Sequence, residues 1–165
     1  MIGIPLRIKD YDRQIEKTVI RFCREQADTC FEEAAPLIEK YRREIAYYTD
    51  LNLEPDYGRY AALEKANVLR AYTARLDEKI IGFAVFHVAT HLHFKSNIFA
   101  MHDILYIMPE HRGFGHKFLK WCTEALRADG VSVVYFSVNV NYDYRPLLER
   151  MGFEHTDHLY AKRIK

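Results

Sequence analysis

Nowhere does this chain carry the run of about 18 uncharged apolar residues that a membrane-spanning helix needs. Its opening stretch, MIGIPLRIKDYDRQ, lacks the continuous apolar centre of a secretory signal. Together these shortages predict a cytosolic protein with no membrane partner. Cysteine is scarce as well: Cys23, Cys30 and Cys122 form no CxxC pair, and an odd count of three gives no disulfide framework, so the thiols read as buried or idle. Excess charge is missing too. A net charge of +1 argues against nonspecific polyanion binding, which makes nucleic acid an unexpected partner. Repeats, low-complexity tracts and linkers are absent. What remains is 165 residues, 49% hydrophobic and 28% charged, enough for one globular domain over residues 1–165 with a core of its own.

The most informative stretch is Ile104–Lys117, ILYIMPEHRGFGHK. Its apolar run Ile104–Met108 has strand composition, and Pro109 ends the ladder by removing a donor. Gly113 and Gly115 flank Phe114, and from Lys117 onward Phe118, Leu119, Trp121, Cys122 and Leu126 recur at helical spacing. Strand, glycine-containing loop and helix N-terminus form a potential anion site, because glycines admit close backbone approach and the helix dipole favours negative charge.

The run PEHRGFGHKFLKW resembles the cofactor motif Arg/Gln-x-x-Gly-x-Gly/Ala of the GNAT superfamily of acetyl-CoA-dependent N-acetyltransferases, with Arg112 and Gly115 in register and Lys117 in the last small-residue place. A second segment, NYDYRPLLERMGF, is similar to that family's later Asn…Tyr-Glu-Lys-x-Gly-Phe element through Asn141, Glu149, Arg150, Gly152 and Phe153; Leu148 stands where many members have tyrosine. The likeness covers about Val68–Lys165. It implies an α/β fold of the GNAT type: a mostly antiparallel sheet with a central parallel strand pair splayed to admit CoA. It also implies acetyl-CoA as cosubstrate, held by Leu105, Tyr106, Ile107, Arg112, Gly113, Phe114, Gly115, His116, Lys117 and Asn141.

The remaining elements follow from pattern. Thr18–Arg24 alternates as a first strand, and Thr29-x-x-Glu32 reads as a capping box for a helix to about Tyr48, in which Pro36 predicts a kink or a later start. Pro55 is placed to begin a second helix through about Ala66. Tyr47, Tyr48, Tyr57 and Tyr60, among Asp50, Glu54 and Asp56, would by the resemblance lie over an acceptor mouth suited to a cationic amine. Val68–Leu76 and Ile80–Phe94 form a hairpin about Asp77-Glu78-Lys79, followed by a strand Ile98–Met108. His87, His91 and His93 share a strand face, but the outer pair would lie about 20 Å apart, beyond one zinc ion. His91 and His93 with His102 could converge; the preferred reading is cleft or surface histidines and no metal. After the glycine loop the helix runs to about Asp129 and ends at Gly130. Val131–Val140 is then a strand covered on both faces, parallel to the preceding one through a right-handed crossover. Tyr144–Met151 makes a short helix closed by Gly152, and Phe153–Ile164 supplies one or two final antiparallel strands.

Transfer by direct attack would require an oxyanion donor, a base for the acceptor ammonium and an acid for the leaving thiolate. Leu148 has no proton to give. Tyr144, one helical turn earlier, is the substitute acid, and His102 and Asp103 are the base candidates; they project to opposite faces of a regular strand unless a bulge intervenes. Expected partners are a small-molecule or protein-borne amine and, at most, a second copy of the chain in a homodimer. Alternatives are transfer of another acyl group, acylation of amines borne on nucleic acid, and a noncatalytic CoA-binding or regulatory module.

Overall fold

In the computed structural model, which describes residues 19–164, five strands form one sheet in the order β1-β2-β3-β4-β5. Strand β1 (Ile20–Glu25) agrees with its sequence pattern, although Thr18 lies outside the described residues. Helix α1 (Ala27–Glu44) starts before Thr29, so the expected capping box does not form. Its first amide, Ala27 N–H, donates instead to Glu64 Oε2 at 2.7 Å, a cap supplied from the second helix. Pro36 sits exposed inside α1 without ending it, and no later start is seen. Helix α2 (Tyr57–Lys65) begins two residues after Pro55, because Asp56 Oδ1 accepts Arg59 N–H at 2.9 Å and fixes the start there.

The hairpin of β2 (Leu69–Leu76) and β3 (Lys79–Thr90) turns through Asp77 and Glu78, both at positive φ (46° and 67°), the backbone twist that a two-residue hairpin needs. Strand β3 stops at Thr90 rather than Phe94. His91 N–H closes onto Asn97 O, and Phe94 N–H onto His91 O, so His91 and His93 belong to the loop and no longer share a strand face with His87. Strand β4 (Ile98–Ile107) follows, then a 3₁₀ turn at Pro109–Phe114, and α3 (Gly115–Ala128) opens at Gly115, two residues earlier than expected. Gly130, at φ +84°, ends it as the pattern implies.

Strand β5 (Val131–Tyr135) is parallel to β4, but it is five residues shorter than expected and its middle faces solvent. Beyond Tyr135 the peptide groups find side chains rather than a ladder: Ser137 N–H donates to His102 Nδ1 (3.1 Å) and Ser137 O accepts the Tyr144 hydroxyl (3.3 Å). Because β5 is the outer strand, the parallel pair lies at the edge of the sheet and not at its centre.

Helix α4 (Arg145–Arg150) has Tyr144 as its N-cap. It ends in a Schellman motif: Gly152, at φ +85°, donates to Glu149 O and Phe153 N–H reaches back to Leu148 O. Phe153–Ile164 contains no strand. After Phe153 come Glu154, His155, Thr156, Asp157 and His158, five polar residues with no apolar alternation to bury, and the segment is instead held by Arg163 on Asp50 at 2.5 and 2.8 Å. Phe153 itself is half-buried, edge-on to Phe136 with ring centroids 5.2 Å apart, rather than deep in the core. Phe153→Ala should therefore cost about 1–2 kcal/mol, less than a fully buried phenylalanine. Urea unfolding would measure it; a loss above about 3 kcal/mol would contradict the half-buried placement.

Helices cover both faces of the sheet. Phe31, Ile38, Leu69, Phe83, Val85 and Tyr106 pack between it and α1–α2, while Tyr72, Phe86, Phe118, Cys122, Leu126 and Val131 pack against α3. The cysteines match their bland reading: burial pushes the Cys30 thiol up to about 12 and raises that of Cys122 as well. No helix among the described residues is long and apolar enough to cross a membrane.

Candidate active site

Two irregularities in β4 create the site. Strands β4 and β5 pair from Ile98 and Val131 to Met101 and Tyr135, with a one-residue shift after Ile98, and then part, leaving the rest of β4 without a neighbour on that side. On the other side Val85 pairs with Ile104 and Phe86 with His102, so Asp103 is the extra residue of a bulge. The two adjacent residues still face opposite ways, His102 toward Phe136 on the α3 side and Asp103 toward Tyr60 of α2, but the parted strands open one cavity to both faces and both residues line it.

This cavity, of ≈ 220 Å³, fills the space where the strands diverge. Leu105, Tyr106 and Ile107 form one wall and Ser137, Val138 and Asn139 the other, with Tyr41 and Ile45 of α1 above and Gly115 and Leu119 of α3 below. Tyr142, Tyr144, Leu147, Leu159 and Arg112 complete the lining. Gly115 brings the N-terminal end of a 14-residue helix to the wall, with its partial positive charge. Neither loop glycine adopts a left-handed conformation. A Cβ at Gly113 would meet nothing within 4 Å, and one at Gly115 would touch only Ile107 Cδ1, at 3.4 Å.

The other expected cofactor residues are distributed around this cavity rather than within it. Phe114 packs into the core beside Phe22 and Phe118. Lys117 is exposed, and His116 joins Lys120, Arg150, Gly152 and Phe153 around a second hollow between α3 and the end of α4. Asn141 Nδ2 donates to Ile45 O and Ala46 O at 3.5 and 3.4 Å, pinning the cavity roof to the segment after β5. Arg112 turns inward. Its Nε donates to Ile107 O at 3.1 Å, its guanidinium lies 4.7 Å from the Tyr142 ring centroid, and Glu44 pairs with it while also accepting the Tyr106 hydroxyl. Nothing in the local pattern of α1 marks Glu44 for this place.

Asp103 accepts the Tyr60 hydroxyl at 2.9 Å and has His87 Nε2 3.7 Å away. Burial and then Asp103 raise the Tyr60 phenol, and burial, followed by Asp103, raises that of Tyr41. Of the aromatic residues expected at an acceptor mouth, Tyr60 thus reaches the strand; Tyr57 packs on Phe31, and Tyr47 is exposed. Burial, with a smaller contribution from Tyr41, raises the Tyr144 phenol further above its ordinary range, so the hydroxyl is protonated at neutral pH. Burial lowers the His102 imidazole to about 4 against the opposing effect of Asp103. Among the described residues no three His, Cys, Asp or Glu side chains converge as a metal site.

A mixed sheet parted beside a helix N-terminus, with ionisable groups where the strands diverge, is the architecture of an acyl-CoA-dependent transferase. The model of the GNAT acetyltransferase family matches residues 20–153, and the chain belongs to that family of N-acetyltransferases. Solved structures agree in fold. A ribosomal-protein-alanine N-acetyltransferase from Brucella melitensis biovar Abortus 2308 superposes with a TM-score of 0.68 at 19% identity, over 89% of this chain and 100% of that one. A predicted acetyltransferase from Clostridium acetobutylicum, solved with acetyl-CoA, gives 0.66 at 13% identity over 88% and 97%. An aminoglycoside acetyltransferase from an uncultured soil metagenomic sample, in complex with sisomicin, gives 0.66 at 18% identity over 87% and 96%. No curated protein sequence matches this chain significantly.

Proposed function

We propose that the protein moves an acetyl group from acetyl-CoA to a primary amine by direct attack. The observation that carries this reading is the single cavity uniting the parted β4 wall, the Gly115 end of α3, Asp103 and Tyr144. The residues fit the donor: the slot between Leu105–Ile107 and Ser137–Asn139 suits a narrow pantetheine arm, and the helix end suits its pyrophosphate. The basic groups of the second hollow, His116, Lys120 and Arg150, lie on the same side of α3 and suit a further phosphate.

Bound acetyl-CoA supplies a thioester carbonyl carbon for the amine to attack. Asp103 attracts the acceptor as an ammonium and removes its proton, with the Tyr60 hydroxyl fixing the carboxylate. Past Met101, the β4 amides facing away from β3 have no strand partner and can donate to the developing oxyanion. As the C–N bond forms and the C–S bond breaks, Tyr144 gives its proton to the departing sulfur. The acceptor is a small-molecule or protein-borne amine. Leu148 is a buried residue of α4 with no proton to give, so the role of acid falls to Tyr144 in this reading.

Tyr144→Phe is the deciding variant, since it keeps the ring and removes only the hydroxyl. A thiol-release screen over amine classes would first find the acceptor. Turnover should then fall by at least about 100-fold, with CoA affinity nearly unchanged in calorimetry. A drop below about threefold would eliminate Tyr144 and leave water or the acceptor as the proton source.

A further inference from the structure

His102 is the cavity residue whose hydrogen-bonding direction the fold decides. It follows Met101, the last β4 residue paired with β5, and precedes the bulged Asp103. Its ring lies against Phe136, with centroids 5.2 Å apart and planes inclined by 31°. Ser137 N–H donates to its Nδ1 at 3.1 Å. A backbone N–H can only donate, so Nδ1 carries the lone pair, and the single proton of the neutral ring must be on Nε2. Ser137 is itself held from its other side, where its carbonyl accepts the Tyr144 hydroxyl. The tautomer is therefore set by the N–H of a residue whose two flanking peptide groups are both hydrogen-bonded to side chains. Among the described residues Nε2 has no hydrogen-bond acceptor.

A base needs a free lone pair, and the one lone pair of this ring is in use. We infer that His102 is a fixed hydrogen-bond donor that presents Nε2–H to the carbonyl oxygen of the donor thioester. The inference rests on the acetyl-CoA reading. A neutral imidazole N–H is far too weak an acid to be consumed by a thiolate, but it stabilises negative charge growing on oxygen and needs no reorganisation at the moment of attack. The low pKa of the buried ring keeps it in this neutral form across the neutral range. Asp103 and His102 thus divide the work between them: the carboxylate handles the amine and the imidazole polarises the acyl group. Two adjacent residues on opposite faces of β4 can do this because the strand has no β5 partner beyond Met101, so one cavity reaches both.

Two measurements on the full chain test this. Long-range ¹H–¹⁵N correlation at pH 7 should show His102 as the Nε2–H tautomer; an Nδ1–H or doubly protonated ring overturns the inference. The infrared carbonyl band of bound [1-¹³C]acetyl-CoA should lie at lower wavenumber than that of the free thioester. The shift should persist in His102→Gln, whose amide N–H₂ reaches close to the position of Nε2, and be clearly smaller in His102→Leu, where only the β4 amides remain as donors. An unshifted band in the wild type, or the same shift in His102→Leu, overturns the donor role while leaving the transferase reading intact. Should His102→Leu fail to fold, His102→Phe supplies the same comparison, and an Nδ1–H tautomer in the wild type overturns the inference by itself. A wild-type chain that does not bind acetyl-CoA sinks the transferase reading itself, and the donor role with it.

Discussion

Gly115→Glu should abolish CoA binding while leaving the protein folded. Calorimetry is expected to show affinity weakened by at least about 100-fold, or about 2.7 kcal/mol. Gly115 is the first residue of α3, buried, and part of the cavity wall, so any side chain longer than a methyl must enter the space assigned to the ligand. A glutamate there adds a negative charge where the helix end would otherwise meet a pyrophosphate. The same charge at the first helical position is favourable to the helix, which separates lost binding from lost folding. Gly115→Ala supplies the control. Its Cβ would contact only the far end of the Ile107 side chain at 3.4 Å, and that methyl can give way, so binding should stay within a few-fold of the parent. If Gly115→Glu binds CoA as tightly as the parent, the cofactor site lies elsewhere.

Asp129→Ala should be the most destabilising single change in the helix-to-sheet framework, costing about 3 kcal/mol or more. Arg70, 5% exposed on β2, donates from Nε to Asp129 Oδ2 at 2.6 Å and from Nη1 to Asn67 O and Leu69 O. Arg24 of β1 joins the same carboxylate at 3.0 Å. Asp129 thus ties the C-terminal cap of α3 to two strands. Its removal leaves a guanidinium buried without its anion, which costs far more than an exposed ion pair contributes. Arg24→Ala removes the more exposed partner and should cost under about 1 kcal/mol. Urea unfolding of both variants checks the contrast; similar losses would show that Arg70 does not depend on Asp129.

What could be read in advance was local. The α3 stripe of Phe118, Leu119, Cys122 and Leu126 is buried as its spacing requires, and Gly130 and Gly152 take the left-handed conformations that only glycine adopts freely. The Asp77–Glu78 hairpin, the parallel crossover to β5 and the motif around Arg112 and Gly115 were legible for the same reason: each lies within a short stretch whose periodicity or turn chemistry points one way. Errors arose where a distant group decided the outcome. The start of α1 is set by Glu64, thirty-seven residues away, and not by Thr29. The end of β5 is set by His102 and Tyr144, which take the peptide groups of Ser137 that a longer ladder would have used.

The candidate site divides in the same way. By itself the sequence determined that a strand, a glycine-containing loop and a helix would follow one another around Arg112 and Gly115 and that Leu148 had no hydroxyl, and it offered His102, Asp103 and Tyr144 as candidates for proton chemistry. Only the tertiary structure decided that His102 and Asp103 share a cavity, that Arg112 turns inward to Glu44, and that Tyr60 crosses from α2 to hold Asp103. Strand periodicity alone would have separated His102 from Asp103. They do face opposite ways, yet the parting of β4 from β5 opens one cavity to both, and where two strands part is a property of their pairing rather than of either sequence alone.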